Sequence, residues 1–370
     1  MLDRNMSVPL YIQFKKEITD KILRGEYRSG NPLPTEKDLC NEYGISRFPV
    51  RQAMDELVAE GYLVRTRGRG TFVSQKLTGA QQAVHSKIIG LVAGKLTGGF
   101  YGQVLNGFEK QTRERGYLAT ICNSEAKVQG ELDCIDRLVD FGVSGILIFP
   151  CDGSRIGERI DTLAAKRIYL GILDRNPGLI NIDYVGSDNI GGAYTAVQHL
   201  SFQGYKNVVF ISDMSNVSSV NERLEGYLKA VGDLGLNSLT RININEDLGR
   251  YPHYAHRLFL GQLKEELVEL KKHLPLGIFA SNDPVAIQCM KILAAEGIGI
   301  GREVGIVGFD NTVECDYTPV PLTSVAQSGI LIGQSAADIA IDKIEGKSSM
   351  VFRSIVPTQL VIRNSCGEKS

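Results

Sequence analysis

Seven apolar runs recur along the later part of the chain: IIGLVA (88–93), YLATIC (117–122), GILIFP (145–150), IYLGILD (168–174), NVVFIS (207–212), LGIFAS (276–281) and EVGIVGFD (303–310). Each is nearly continuous rather than alternating, the pattern of a strand buried on both faces. The stretches between several of them, 100–115 and 218–235 among them, carry the periodicity of amphipathic helices. Continuous strands alternating with helices predict an α/β architecture, a parallel sheet covered on both sides. The 284 residues from 87 to 370 are long for one such sheet, which predicts two lobes.

In open parallel sheets, ligands bind beyond the carboxyl ends of the strands. Polar residues collect there. Phe100 and Tyr101 follow the first run, Asp152 follows GILIFP, and Asp174-Arg175 close IYLGIL. Asn282-Asp283 close GIFAS, and Asp310 closes GIVGF. Acids and arginines offer several hydrogen bonds in fixed geometry, which suits a polyhydroxylated ligand. Beyond Phe100 and Tyr101 no aromatic is assignable to base stacking, so a sugar is favoured over a purine. Second readings stay open: Asp174 and Arg175 as a salt bridge within a lobe, and Asp283 as a cap of the helix after residue 281. Asp188 and Asn189 are read as a helix start.

The first 76 residues are built differently. They hold 13 Lys/Arg against 10 Asp/Glu, and the remainder 28 against 32. A small basic module joined to a mildly acidic one suits a polyanion partner for the first alone. Leu10, Phe14, Ile18 and Ile22 recur every fourth residue and predict a helix that Gly25 can end. Thr35 is a good N-cap for a second helix, with Asp38 completing an imperfect capping box and Gly44 ending it. Ser46 caps a third helix running to Gly61. Val50, Met54 and Leu57 face its core, and Arg47 and Arg51 share another face. Pro49 is tolerable as the third helical residue, where its missing N–H has no intrahelical partner. Ser46 should then cap through the amide of Phe48. The very short connection at 44–45 is helix-turn-helix geometry, and YLVRTRGRGTFVSQ (62–75) reads as a hairpin with an Arg-Gly-Arg-Gly tip.

The order helix, helix-turn-helix, hairpin makes a winged helix-turn-helix, and LPTEKDL (33–39), GISRFPVRQAM (44–54), LVAEGYLVR (57–65) and GRGTFV (68–73) resemble the GntR-type regulators. The resemblance implies that Arg47 and Arg51 meet operator DNA, with Phe48 beside them. It implies that Thr35, Lys37 and Ser46 bind phosphate, that Glu36 accepts from a cytosine amine, and that the wing tip, Arg67, Arg69 and Gly70, enters the minor groove. Pro49 departs from the small hydroxyl residue usual there, so one phosphate contact is expected to be missing. Beyond a polar linker (77–86), the segments FYGQVLNGFE, VSGILIFP, LDRN, VGSDNIGGAYTAVQHL, RLEGY, IFASNDPVAI, GIVGFDN, PLTSV and LVIRNS fall in the order of the LacI/GalR effector domain. That domain is similar to periplasmic sugar-binding proteins, with two lobes of parallel sheet, here expected as 87–186 with 311–347 and 187–310 with 348–370. Its pocket positions carry over to Tyr101, Asp174, Arg175, Arg223, Asp310 and Gln327, with Asp152, Asp283 and Phe100 added at strand ends.

Together the modules resemble the arabinose-repressor-like transcriptional regulators. The resemblance implies a homodimeric repressor of carbohydrate-utilisation genes, released from its operator by a mono- or disaccharide or a sugar derivative. The alternatives are an enzyme-like or purely dimerising second domain and a non-sugar effector such as a purine. Enzyme chemistry lacks its usual signs: no Schiff-base lysine neighbourhood, no G-x-S-x-G, and GLVAGKL (90–96) fails the P-loop spacing. No cofactor and no metal are expected, since five histidines are scattered and seven cysteines form no C-x-x-C pair. No apolar run reaches the roughly 18 residues of a membrane helix, and the N-terminus lacks a signal-peptide core, so a cytoplasmic protein is expected.

Overall fold

The computed structural model describes residues 9–23, 26–28, 30–66, 69–74, 86–96, 98–151, 153–213, 217–239, 242–243 and 255–367. Gly25, Arg67, Asp152 and the linker up to residue 85 lie outside them. The chain divides into two compact units, Met1–His85 and Ser86–Ser370.

In the first unit the four-residue spacing builds α1 (Leu10–Leu23), with Phe14, Ile18 and Ile22 fully buried. Helix α2 (Glu36–Tyr43) starts at a complete capping box. The Thr35 hydroxyl accepts from the Asp38 amide, the Asp38 carboxylate accepts from the Thr35 amide, and Gly44 ends the helix at φ 62°. Helix α3 (Arg47–Ala59) buries Val50, Ala53, Met54 and Leu57 against α1 and α2. Pro49 stands in its first turn, as expected. Ser46 occupies the N-cap position with extended backbone, but its side chain makes no capping bond, so the expected bond to the Phe48 amide does not form. Strands β1 (Leu63–Thr66) and β2 (Gly70–Val73) pair antiparallel, Thr66 opposite Gly70, and complete the winged helix-turn-helix.

The second unit starts with β3 (Ile88–Ala93), α4 (Gly99–Glu114), β4 (Leu118–Asn123), α5 (Val128–Phe141), β5 (Gly145–Ile148), α6 (Ile160–Ala165), β6 (Tyr169–Leu173) and β7 (Asp183–Ser187). It continues with α7 (Asn189–Phe202), β8 (Asn207–Ser212), α8 (Ser218–Leu234), β9 (Asn237–Ser238), β10 (Ile242–Asn243), α9 (Ala255–Glu269), β11 (Leu276–Ala280), α10 (Asp283–Ala295) and β12 (Val304–Asp310). Strand β13 (Thr323–Ala326), α11 (Gly329–Ile344), β14 (Arg353–Val356) and β15 (Gln359–Val361) complete it. One sheet runs β14-β7-β6-β5-β3-β4, all parallel. The other runs β10-β8-β11-β12-β13-β15, parallel except for β15, with β9 beside β8. Ile89, Leu91 and Ala93 pack one way and Val92 the other, which is why the β3 run is continuous. The YLATIC run departs from that expectation: β4 is the edge strand, with Leu118 and Ile121 exposed.

The chain crosses between the lobes at 187–189, 326–329 and 356–359. The last two crossings correct the expected boundaries at 310/311 and 347/348. Val307–Asp310 pairs with Thr323–Ala326, which keeps 311–326 in the second lobe. Tyr184–Ser187 pairs with Arg353–Val356, which keeps 348–356 in the first.

Helices α4 and α11 approach through glycines. A Cβ on Gly107 would stand 2.1 Å from the Ile330 carbonyl oxygen, and one on Gly333 2.1 Å from that of Val104. Backbone cannot yield as a side chain tip can. Gly107→Ala should cost about 1–3 kcal/mol of stability by overpacking, read as a lower thermal midpoint. An unchanged midpoint would show that the helices have room to part.

Candidate functional site

In the first unit, α3 presents Arg47, Phe48 and Arg51 outward. Phe48 is 78% exposed, and so is the Arg47 side chain. An apolar ring left in water on a helix start has no packing role in the module. Glu36 sits opposite, its carboxylate 3.3 Å from Arg47 Nε and 3.5 Å from an Arg65 amine. Arg65 also donates to Asp55. Lys37 and Ser46 are exposed, and the uncommitted Ser46 hydroxyl is open to a phosphate. Thr35 is not equally open: its hydroxyl bonds Asp38 at 2.6 Å, which also holds that carboxyl below its ordinary range. Arg69 and Gly70 (φ 111°) are exposed beside the wing tip.

In the second unit, the carboxyl ends of both parallel sheets face one cleft. A cavity of about 270 Å³ lies there. It brings together Phe100, Tyr101, Asp174, Arg175, Arg223, Asp310 and Gln327, as expected from the sequence. It leaves out Asp283. That residue is fully buried, its carboxylate accepting from the Thr312 amide at 2.7 Å and the Ser324 hydroxyl at 2.5 Å. Asp283 therefore braces the second lobe. Nor is it the cap: Asn282 accepts from the Val285 amide and starts α10, as Asp188 starts α7.

Asp174 is 4% exposed and held at φ 60°, in the left-handed region. Its Oδ2 lies 3.7 Å from Arg175 Nε, so the salt bridge and the pocket position coexist. Its Oδ1 is buried without a hydrogen-bond partner. Such an acceptor costs about 1–3 kcal/mol until something donates to it. Asp310 (φ 109°) is likewise strained, at the end of β12. Backbone strain at two facing strand ends marks a site the fold holds against local preference. Arg223 is 5% exposed. It donates to Asn189 at 2.9 Å and to the Ser281 carbonyl at 2.6 Å, lies 3.7 Å from Asp310, and stacks 3.8 Å over the Phe309 ring. Gln327, on a crossing segment, donates to Asp310 at 2.6 Å and accepts from Ser187 at 2.5 Å.

Burial, ahead of the opposing pull of Arg223 and the push of Asp283, holds the Asp310 carboxyl above its usual range. A carboxyl raised by folding contributes its stability in full below the unfolded value and loses it as pH climbs through the folded one. The wild-type melting temperature should therefore fall between pH 5 and pH 8 by more than that of Asp310→Asn in paired thermal scans. Equal slopes would make Asp310 an ordinary surface acid.

Asn282, one of the strand-end residues, lines the cavity, and several lining residues were not anticipated: Lys95, Asp213, Ser219 and Thr312. Asp213 follows NVVFIS directly, so the strand-end rule that found Asp174 reaches it too. Among the described lining residues, Lys95, Arg175 and Arg223 are balanced by Asp174, Asp213 and Asp310. The aromatic rings form no sandwich. Phe100 meets Tyr101 and Phe149 edge-on, and Tyr101 is tilted on Phe149.

Residues 10–73 match the gntR family of bacterial regulatory proteins, and residues 197–366 match the periplasmic binding protein-like domain. An arabinose metabolism transcriptional repressor of Geobacillus stearothermophilus is 26% identical, over 99% of this chain and 100% of its own. The PurR transcriptional repressor of Photobacterium profundum is 25% identical, over 90% of this chain and 98% of its own. The solved CelR–cellobiose complex shares the fold at a TM-score of 0.66 and 22% identity, over 87% of this chain and 91% of that one. No described helix is long and apolar enough to cross a membrane.

Proposed function

We propose that this chain, which joins a gntR-type regulatory domain to a periplasmic-binding-protein-like domain, is a transcriptional repressor of carbohydrate-utilisation genes, released from its operator by a neutral sugar. The observation that carries the effector assignment is the Asp174 oxygen, buried and unpartnered in the inter-lobe cavity. A sugar hydroxyl donates to such an acceptor and can accept from Arg223 or Gln327 in the same ring. Balanced charge in the wall favours an uncharged ligand over a sugar acid. The purine reading draws support from the PurR relative. Against it stand the edge-on rings, which offer no flat slot for a base.

Arg47, Arg51 and Phe48 read the operator's major groove. Arginine pairs with guanine, and the phenylalanine ring meets a thymine methyl. Ser46 and Lys37 hold phosphates, which positions the module without reading sequence. A homodimer reads two half-sites. Sugar draws the lobes together about the crossings at 187–189, 326–329 and 356–359. Closure releases DNA only by as much as the sugar's affinity differs between the two states. The relatives' repressor names support a non-enzymatic role, in a cytoplasmic protein.

A thermal-shift screen of neutral sugars, sugar acids and purines tests the assignment, because a ligand raises stability by mass action. Neutral sugars should shift the midpoint and weaken operator binding. A shift with purines alone would replace the sugar reading.

A further inference from the structure

The cleft continues beyond the cavity of Asp174 and Asp310. A second cavity of about 410 Å³ is lined by Gly153 and Ser154 after β5, Arg175 and Asn176 after β6, and Ser218 and Asn221 of α8. Arg175 belongs to both walls, so the two spaces lie next to each other with that residue between them. The first, at about 270 Å³, is smaller than the roughly 300 Å³ at which pockets for drug-sized ligands begin.

The second space is held in shape by groups with no part in the first. Glu131 of α5 is completely buried. Its carboxylate accepts from the Cys151 amide at 2.8 Å and from the Ser154 hydroxyl. Burying a carboxylate is costly unless it is well bonded. Here the two bonds go to Cys151 and Ser154, both of which line the cavity. On the other side, the Asn176 amide donates to Ser218 Oγ at 2.8 Å, tying the two lobes together beside the cavity. The Asn176 side-chain oxygen is spent on the amides of Gly178 and Leu179. Its NH₂ group has no partner among the described residues. The chemistry of the wall also differs from the first cavity: hydroxyls and amides with one arginine, and no carboxylate among the described lining residues.

We propose that the effector is a disaccharide. One ring lies against Asp174, Arg223 and Asp310, the glycosidic oxygen passes Arg175, and the second ring fills the space beside Ser154, Asn176 and Asn221. This rests on the sugar reading above and narrows it.

Titration calorimetry on the full chain, with glucose and cellobiose, xylose and xylobiose, and arabinose and arabinobiose as matched probes, tests it. One disaccharide should bind at least about tenfold tighter than its own monosaccharide. Asn221 is exposed on α8 and lines only the second cavity. Asn221→Trp should therefore bring that disaccharide down to the monosaccharide's affinity and leave the monosaccharide unchanged. Glu131→Gln, which loosens Cys151 and Ser154 from behind, should act in the same direction and guards against a folding defect in the first variant. Monosaccharides binding as tightly as their disaccharides would overturn the two-ring effector and leave the sugar reading standing. No binding by any sugar of either size would overturn both.

Discussion

Arg223→Ala should lose the sugar response while keeping the operator. The side chain is buried, and its guanidinium serves Asn189, the Ser281 carbonyl, Asp310 and the Phe309 face together. Removing a charged hydrogen-bond donor from a ligand costs about 1.5–3 kcal/mol, which is roughly 10-fold to 150-fold in affinity. The loss of its pairing with Asp310, 3.7 Å away, falls instead on the stability of the protein. Arg223→Lys should not rescue it, because a point charge cannot reach Asn189 and Ser281 in one plane. The DNA-reading surface belongs to the other unit and contains none of these groups, so operator affinity without sugar should hold. Calorimetry with the sugar found in the screen, beside a gel-shift titration on operator DNA, reads both quantities. An alanine variant that still binds sugar within a few-fold of wild type would remove Arg223 from the site.

The arrangement of these groups was legible to different depths. Doubly buried strands announce themselves, so β3, β5, β6, β8 and β12 stood out as apolar runs, and the residues after β6 and at the end of β12 led to Asp174 and Asp310. Strand β14, RSIV, is an edge strand with an alternating, partly exposed pattern, and β13, TSVA, is four residues with two hydroxyls. Neither could be told from a loop by hydropathy, and the lobe boundaries slipped accordingly. Asp283 shows another limit. At a strand end a carboxylate can face the cleft or turn back into its own lobe. The choice depends on Ser324 and on the Thr312 amide, 41 and 29 residues away along the chain. Arg223 lay on a helix with no local sign of function, and only the family resemblance pointed to it. Pro49 removes one usual target of an N-cap hydroxyl, and nothing in the structure explains why Ser46 leaves the other, the Phe48 amide, unused.

On the DNA side, Arg47→Ala and Glu36→Gln should move specificity in the same direction and affinity in opposite ones. In the free protein Arg47 leans on Glu36, an exposed pair worth about 0.2–1 kcal/mol. A bidentate contact from arginine to guanine is worth about 1–3 kcal/mol. The guanine contact is the stronger of the two, so under the proposed function Arg47 should leave Glu36 for the base when the operator is present. Arg47→Ala should then weaken operator binding roughly 5-fold to 150-fold, the same 1–3 kcal/mol expressed as a ratio, and relax the preference at one base pair of each half-site. Glu36→Gln removes a negative charge from the face proposed to meet phosphate and frees Arg47, while Arg65 keeps its pairing with Asp55. Binding to unrelated DNA should tighten, with a steeper loss on adding salt, while the margin between operator and unrelated DNA narrows. Titrations at several salt concentrations, on an operator selected from randomised DNA and on a scrambled duplex, separate these effects. If Glu36→Gln instead weakened binding to both duplexes equally, the carboxylate would be organising the module's fold, and its place opposite Arg47 would carry no information about the base.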